Sequence, residues 1–144
     1  MVNIEDFVCE NPLWNLSDKL IFSIKIENTR ESLIMIGFCL KTANNSEGYN
    51  ATNSSFMLYL YNGCFCNQPN PNSLYNSNTI KGKDNEIYTA ILDKKQKSVE
   101  FLLNGKSLGA ARTINIKNEE IPQFCACVDI HYQGDKVSIM KPVF

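Results

Sequence analysis

The stretch from Ser98 to Gly109, SVEFLLNGKSLG, constrains the fold more than any other, because strand-like alternation runs directly into a turn signal. In an extended chain Val99, Phe101 and Leu103 fall on one face, and Glu100 and Leu102 on the other. Asn104-Gly105 then supplies two residues that tolerate positive φ, as a two-residue hairpin turn requires. The spacing predicts a β-hairpin with its register set. Gly109 follows where the return strand must bend or let another backbone approach, a step that is easiest without a Cβ.

Similar signals recur along the chain, and no segment of about 12 residues holds a clean helical period. Phe22, Ile24 and Ile26 alternate with Ser23, Lys25 and Glu27. After a turn at Asn28-Thr29-Arg30-Glu31, residues 33–40 are apolar on both faces, the pattern of a central strand covered from two sides. Phe56, Leu58 and Leu60 alternate with Met57, Tyr59 and Tyr61 and end at Asn62-Gly63, a second hairpin signal. Residues 67–78 carry Pro69 and Pro71 among Asn and Ser, which predicts a mobile surface loop without ladder pairing. Alternation resumes over residues 86–92 and again over 123–130, where Phe124, Ala126, Val128 and Ile130 share a face. Val137 and Ile139 mark a last strand. Some eight or more strands with short turns predict an all-β sandwich or barrel.

A chain of 144 residues has the commonest domain size, so a single domain spanning 1–144 with a full core is expected. The formal net charge of -1, with 20% charged residues, offers no global field for a polyanion and argues against nucleic acid as a partner. No apolar run reaches the roughly 18 residues of a membrane helix, and the first ten residues lack the basic start and apolar stretch of a signal peptide. The expectation is a soluble, monomeric domain of the cytoplasm or nucleus, with no membrane contact. Asn accounts for 18 of the 144 residues, which we attribute to codon bias. The four glycosylation acceptor patterns at Asn15, Asn44, Asn50 and Asn53 would matter only in a secreted chain.

Candidates for chemistry are few. Catalysis by a nucleophile and base needs a positioned histidine, and His131 is the one histidine. Asp129 falls on its side of the strand, but no nucleophile elbow or oxyanion loop accompanies the pair, so no enzymatic activity is expected. Cys64 with Cys66 and Cys125 with Cys127 are spaced by one residue, which in a strand sets the thiols on one face about 7 Å apart. That suits neither a metal knuckle nor a direct disulfide, and a four-thiolate zinc site would need the two strands adjacent. Ordinary thiols in a reducing compartment are expected for these and for Cys9 and Cys39, with no cofactor and no metal. Lys94-Lys95-Gln96-Lys97 reads as a solvated turn, and Trp14, beside Leu13 and Leu16, as a ring that covers an edge or seals one end of the fold.

The order of landmarks resembles the SPRY domain. It is carried by Ile34-Met35-Ile36-Gly37-Phe38, the aromatic stretch from Ser55 to Gly63, Leu92-Asp93 before a short turn, and Phe101-Leu102-Leu103-Asn104-Gly105-Lys106 with Leu108-Gly109. Pro122 before the strand with Ala126 and Val128, and Gly134 before Val137-Ser138-Ile139, complete it. Where the family usually carries a Gly-Asp pair, Gly82-Lys83-Asp84-Asn85 stands here, and Ala110-Ala111-Arg112 replaces a small residue and an aromatic after Leu108-Gly109.

The resemblance implies a two-sheet antiparallel β-sandwich of the SPRY type that serves as a non-catalytic module recognising a protein or peptide through its loops. It also implies a substrate-recognition or scaffold role in a larger protein, such as a ubiquitin ligase component. The family's loop ahead of the final strand commonly contributes an aromatic to the binding face, and Tyr132 holds that place. His131, Arg30, Tyr49, Asn50 and Tyr75 are the other candidate contacts, since loops carry binding residues and Tyr and Arg concentrate binding energy. The alternative is a lectin-like sandwich that binds a glycan or small ligand through Asn, Asp and Tyr of its loops.

Overall fold

The computed structural model describes residues 2–3, 15–16, 18–40, 55–68, 73–75 and 80–143. Among them, strands in two antiparallel sheets dominate. The first sheet comprises β1 (Val2–Asn3), β4 (Ile34–Leu40), β5 (Ser55–Tyr59), β6 (Cys64–Gln68), β7 (Ser73–Leu74) and β12 (Phe124–Ile130), in the order β1-β12-β4-β5-β6-β7. The second comprises β2 (Asn15–Leu16), β3 (Lys19–Asn28), β8 (Ile87–Asp93), β9 (Ser98–Leu103), β10 (Lys106–Ser107), β11 (Arg112–Thr113) and β13 (Lys136–Met140). Its main path is β10-β9-β8-β3-β13, with β2 against β3 and β11 against β9. The two sheets face each other as a β-sandwich.

Period-two alternation decides which side chains meet between the layers. Phe22, Ile24 and Ile26 of β3, Ile34, Ile36 and Phe38 of β4, Tyr88, Ala90 and Leu92 of β8, and Val99 and Phe101 of β9 join one buried cluster. Phe124, Ala126, Val128 and Ile130 of β12 complete it as their spacing predicts. Phe22 and Phe38 meet edge to face across the layers, with centroids 5.6 Å apart. Each such large side chain contributes roughly 1.5–3 kcal/mol by leaving water.

The hairpin at Asn104-Gly105 forms as read, with φ values of 50° and 83° and Leu103 opposite Lys106. Residues 34–40 are the central strand expected, between β12 and β5 and buried on both faces. Their outward residues Met35 and Cys39 pack with Met57, Cys66, Cys125 and Cys127 in a second cluster.

Other expectations are corrected. The segment 67–78 was expected to avoid ladder pairing, yet β6 runs to Gln68 and β7 pairs with it at Cys64↔Leu74 and Phe65↔Ser73. The short β11 and a 3-10 helix over Asn118–Gln123 also lacked a periodic signal, the first being two residues long and the second carrying Pro122. β6 and β12 are separated by β4 and β5, so the adjacency required for a four-thiolate site is not met. Cys39, Cys64, Cys66 and Cys127 are thiols, whereas Cys125 is disulfide-bonded, which corrects the expectation of thiols throughout and removes that argument for a reducing compartment. Cys9, Trp14, Tyr49 and Asn50 lie outside the described residues.

Gly37 permits the closest approach in the first sheet. A Cβ built there would stand 1.9 Å from the Phe56 carbonyl oxygen and 2.8 Å from the Met57 Cα, both backbone atoms that cannot swing aside. Gly37→Ala is therefore expected to force β4 and β5 apart and to lower stability by about 3 kcal/mol or more. A urea midpoint equal to that of the wild type would refute this account.

Candidate functional site

Three connections converge at one rim of the sandwich: the β3–β4 turn, the β12–β13 loop and residues 80–86 ahead of β8. The ladder brings the first two together, because β12 pairs with β4 through Ile130↔Ile34 and the His131 N–H donates to the Leu33 carbonyl at 3.0 Å. The loops leaving these strands therefore start side by side.

Asp135 ties them. Its residue is buried, and its Oδ2 accepts from the Thr29 hydroxyl at 2.9 Å while Oδ1 accepts from the Arg30 N–H at 3.2 Å. Arg30 Nε lies 3.7 Å from the same Oδ1. A carboxylate removed from water needs such donors, and hydrogen bonds to a charged group are the stronger kind. Asn28 adds a side-chain N–H donated to the Gly134 carbonyl at 3.2 Å. Gly134 itself has φ of 98°, a conformation that favours glycine.

On this frame the guanidinium of Arg30 lies over the Tyr132 ring, 4.6 Å from its centroid, and Nη2 donates to the Gln133 carbonyl at 2.7 Å. The Tyr132 hydroxyl donates to Glu31 Oε2 at 3.0 Å. That hydrogen bond, and then the charge of Glu31, raises the Tyr132 ionisation above its ordinary value. The His131 ring sits 5.2 Å from the Tyr132 ring. Arg30 is thus held at three points although its side chain remains 61% exposed.

The third connection closes the rim. Thr29 N–H donates to Asp84 Oδ1 at 2.9 Å, and the Ser32 hydroxyl donates to the Gly82 carbonyl. Between these segments lies an open groove of about 410 Å³, lined by Thr29, Arg30, Ser32, Lys81, Gly82, Lys83 and Asp84.

The structure brings together three of the sequence candidates, Arg30, His131 and Tyr132. Tyr75 is corrected. It is 4% exposed, inside an aromatic cluster with Phe65 at 6.0 Å and Phe101 at 5.2 Å between centroids. Its hydroxyl donates to the Gly109 carbonyl and accepts from the Phe101 N–H, both at 3.3 Å. Arg112 holds the flanking backbone, donating to the Leu74 and Tyr75 carbonyls with its guanidinium 5.6 Å from the Tyr75 centroid. Tyr75 is therefore a core residue, not a loop contact. Asp129 is buried on the first sheet, and His131, two residues on, is exposed beyond the end of the strand.

Asp135, Glu31, Thr29 and the 80–84 segment were missed. The enlarged turn at Gly82-Lys83-Asp84-Asn85 was the one signal that pointed there.

Two outcomes test these placements. Asp135→Asn keeps the shape but turns an acceptor into a donor toward Thr29, so it should cost about 2 kcal/mol and speed amide exchange in residues 131–135; unchanged exchange would contradict the tie. Burial pushes the Tyr75 phenol up to about 12 from 10.0, offset in part by the Phe101 N–H. The neutral phenol is favoured in the folded state, so its contribution is complete below pH 10 and is lost as pH rises through about 12. Tyr75→Phe should flatten the fall in urea midpoint across that window. Tyr88, which burial also raises, supplies the slope that remains.

Comparison with known proteins bears on the fold. No family model and no curated protein matches the sequence. Among solved structures, the SPRY domain of human HERC1 is similar with a TM-score of 0.61 and 16% identity, over 85% of this chain and 74% of that one. A second human SPRY domain gives a TM-score of 0.60 and 14% identity, over 83% and 74%. With both sheets, the Asn104-Gly105 hairpin and the loop ahead of β13 in the places the resemblance implied, the chain has the SPRY fold.

Proposed function

We propose that this domain is a non-catalytic protein-recognition module whose binding face is the rim formed by Arg30, His131 and Tyr132. The observation that carries it is the stacked Arg30–Tyr132 pair. An aromatic ring and a guanidinium, the side chains over-represented among binding hot spots, stand together on converging loops. Both are held in place before any partner arrives, Arg30 through Asp135 and Gln133 and Tyr132 through Glu31. Preset side chains lose less freedom on binding, so more of the contact energy appears as affinity. The likeness to SPRY domains supports the same reading. A role as the recognition or scaffold part of a larger protein, such as a ubiquitin ligase component, accords with it, as does residence in the cytoplasm or nucleus. Among the described residues, no helix is long and apolar enough to cross a membrane.

Affinity capture from native lysate, quantified by mass spectrometry, tests this reading. Tyr132→Ala and Arg30→Ala should each deplete the same set of proteins, while Lys95→Ala, in the turn between β8 and β9, should leave it intact. Identical captures from all four proteins would remove the rim as the binding face.

A further inference from the structure

We propose that the outer face of the second sheet, at the hydroxyl pair of Ser23 and Thr89, is a slot for a short peptide segment in which a proline precedes an apolar residue, and that residues 141–143 occupy it as a built-in competitor. The slot lies within β3 and β8, away from the loops of the rim, and stands independently of the reading of that rim. Alternation turns Phe22 and Ile24 of β3, and Tyr88 and Ala90 of β8, into the core, so Ser23 and Thr89 face outward. The ladder sets these two opposite each other, with their hydroxyl oxygens 2.6 Å apart. Ile21 and Leu102 flank them on the same outer face, buried without joining the core cluster, and Leu102 is the partner of Thr89 on β9. Hydroxyls on the outside of a sheet ordinarily turn to water, yet Ser23 and Thr89 are both 0% exposed.

The chain itself occupies that face. β13 ends at Met140, the ladder partner of Ser23, and three residues later Val143 has doubled back onto the same serine. The Val143 N–H donates to Ser23 Oγ at 3.0 Å, and the Thr89 hydroxyl donates to the Val143 carbonyl at 2.9 Å. Those two bonds fix the third: with the Thr89 proton committed to the carbonyl, the Ser23 hydroxyl donates to Thr89 Oγ1. Each hydroxyl therefore donates once and accepts once. Both backbone groups of one residue are read by side chains, as a ladder would read them by backbone, and main-chain hydrogen bonds of this kind give affinity for extended peptides. Pro142 brings no N–H that would be left unpaired against the sheet. Neutral hydrogen bonds add little net stability, and Pro142 and Val143 are only half-buried, so position holds the segment more than strength does. A tether of a few residues gives a high effective concentration, which lets weak contacts fill the slot until a segment of the same pattern competes for it.

Titration of the isotope-labelled full chain with a synthetic peptide copying residues 139–144, followed through amide chemical shifts, tests this. Val143→Pro removes the N–H that Ser23 accepts, at a residue beyond β13 that pairs with no strand. This variant should bind the peptide roughly tenfold more tightly than the wild type, with shifts centred on Ser23, Thr89 and Leu102. Adding Ser23→Ala and Thr89→Val should reverse the gain, and because both partners then become apolar groups of similar shape, the fold survives the change. A peptide N-methylated at the valine that copies Val143 should not bind, a readout that needs no further change in the protein. Absence of binding to Val143→Pro, or binding that survives N-methylation or the loss of both hydroxyls, overturns the inference. Shifts that grow with protein concentration in the absence of peptide would assign the slot to the same segment of a second copy and also overturn it. Tyr132→Ala should leave the titration unchanged; abolished binding in that variant would place the peptide at the rim and overturn the slot while leaving the rim standing.

Discussion

Two strands at the centre of the first sheet serve two buried surfaces at once, and the register between them governs the rest of the molecule. β4 and β12 send Ile34, Ile36, Phe38, Ala126, Val128 and Ile130 between the sheets and Met35, Cys39, Cys125 and Cys127 to the opposite side. In most half-exposed strands a one-residue slip is forbidden because it would drive apolar side chains into water. Here both faces are buried, so polarity alone does not forbid the slip. Close approach does. Gly37 sits where the Phe56 carbonyl leaves no space for a Cβ, and any shift of β4 against β5 would bring a side chain to that point.

Register in turn decides where the loops begin. Because Ile130 pairs with Ile34 and His131 with the carbonyl of Leu33, Tyr132 leaves the sheet beside Glu31 and Arg30, not one residue to either side. The loop then needs only one further anchor to stay there, and Asp135 supplies it from a buried position on the far side of the turn. A slip of one residue would turn the Tyr132 side chain to the opposite face of the strand's continuation and break its contact with Glu31. The arrangement of the rim is thus a consequence of core packing, transmitted by backbone pairing.

What was legible in the sequence follows from the same physics. Alternation names the inner faces of β3, β8, β9 and β12, since a period of two depends on the strand alone. The positive-φ demand of a two-residue hairpin selects Asn104-Gly105 as locally as any signal can. Tyr75 was illegible because its neighbours, Pro and Asn, signal surface, while its burial comes from Phe65, Phe101 and Arg112, all distant along the chain. Asp135 was illegible for a related reason: an Asp after Gly in a turn is ordinary, and only Thr29 and Arg30, more than a hundred residues earlier, make it a tie. Arg30 and Tyr132 were each found by residue type and loop position. Their stacking was not, because it depends on register.

The rim combines two kinds of cation that physics treats differently. Arg30 is fixed by Asp135, Gln133 and the Tyr132 ring, so what it presents is geometric: a planar donor array in a set orientation, with little freedom left to lose. Lys81 and Lys83 stand on flexible stems beside the groove, and a long side chain that must be immobilised gives up part of its electrostatic gain as entropy. Under the proposed reading these two parts divide the work. The fixed Arg30–Tyr132 pair then sets which partner fits and how long it stays, while mobile side chains beside it act on how fast a partner arrives.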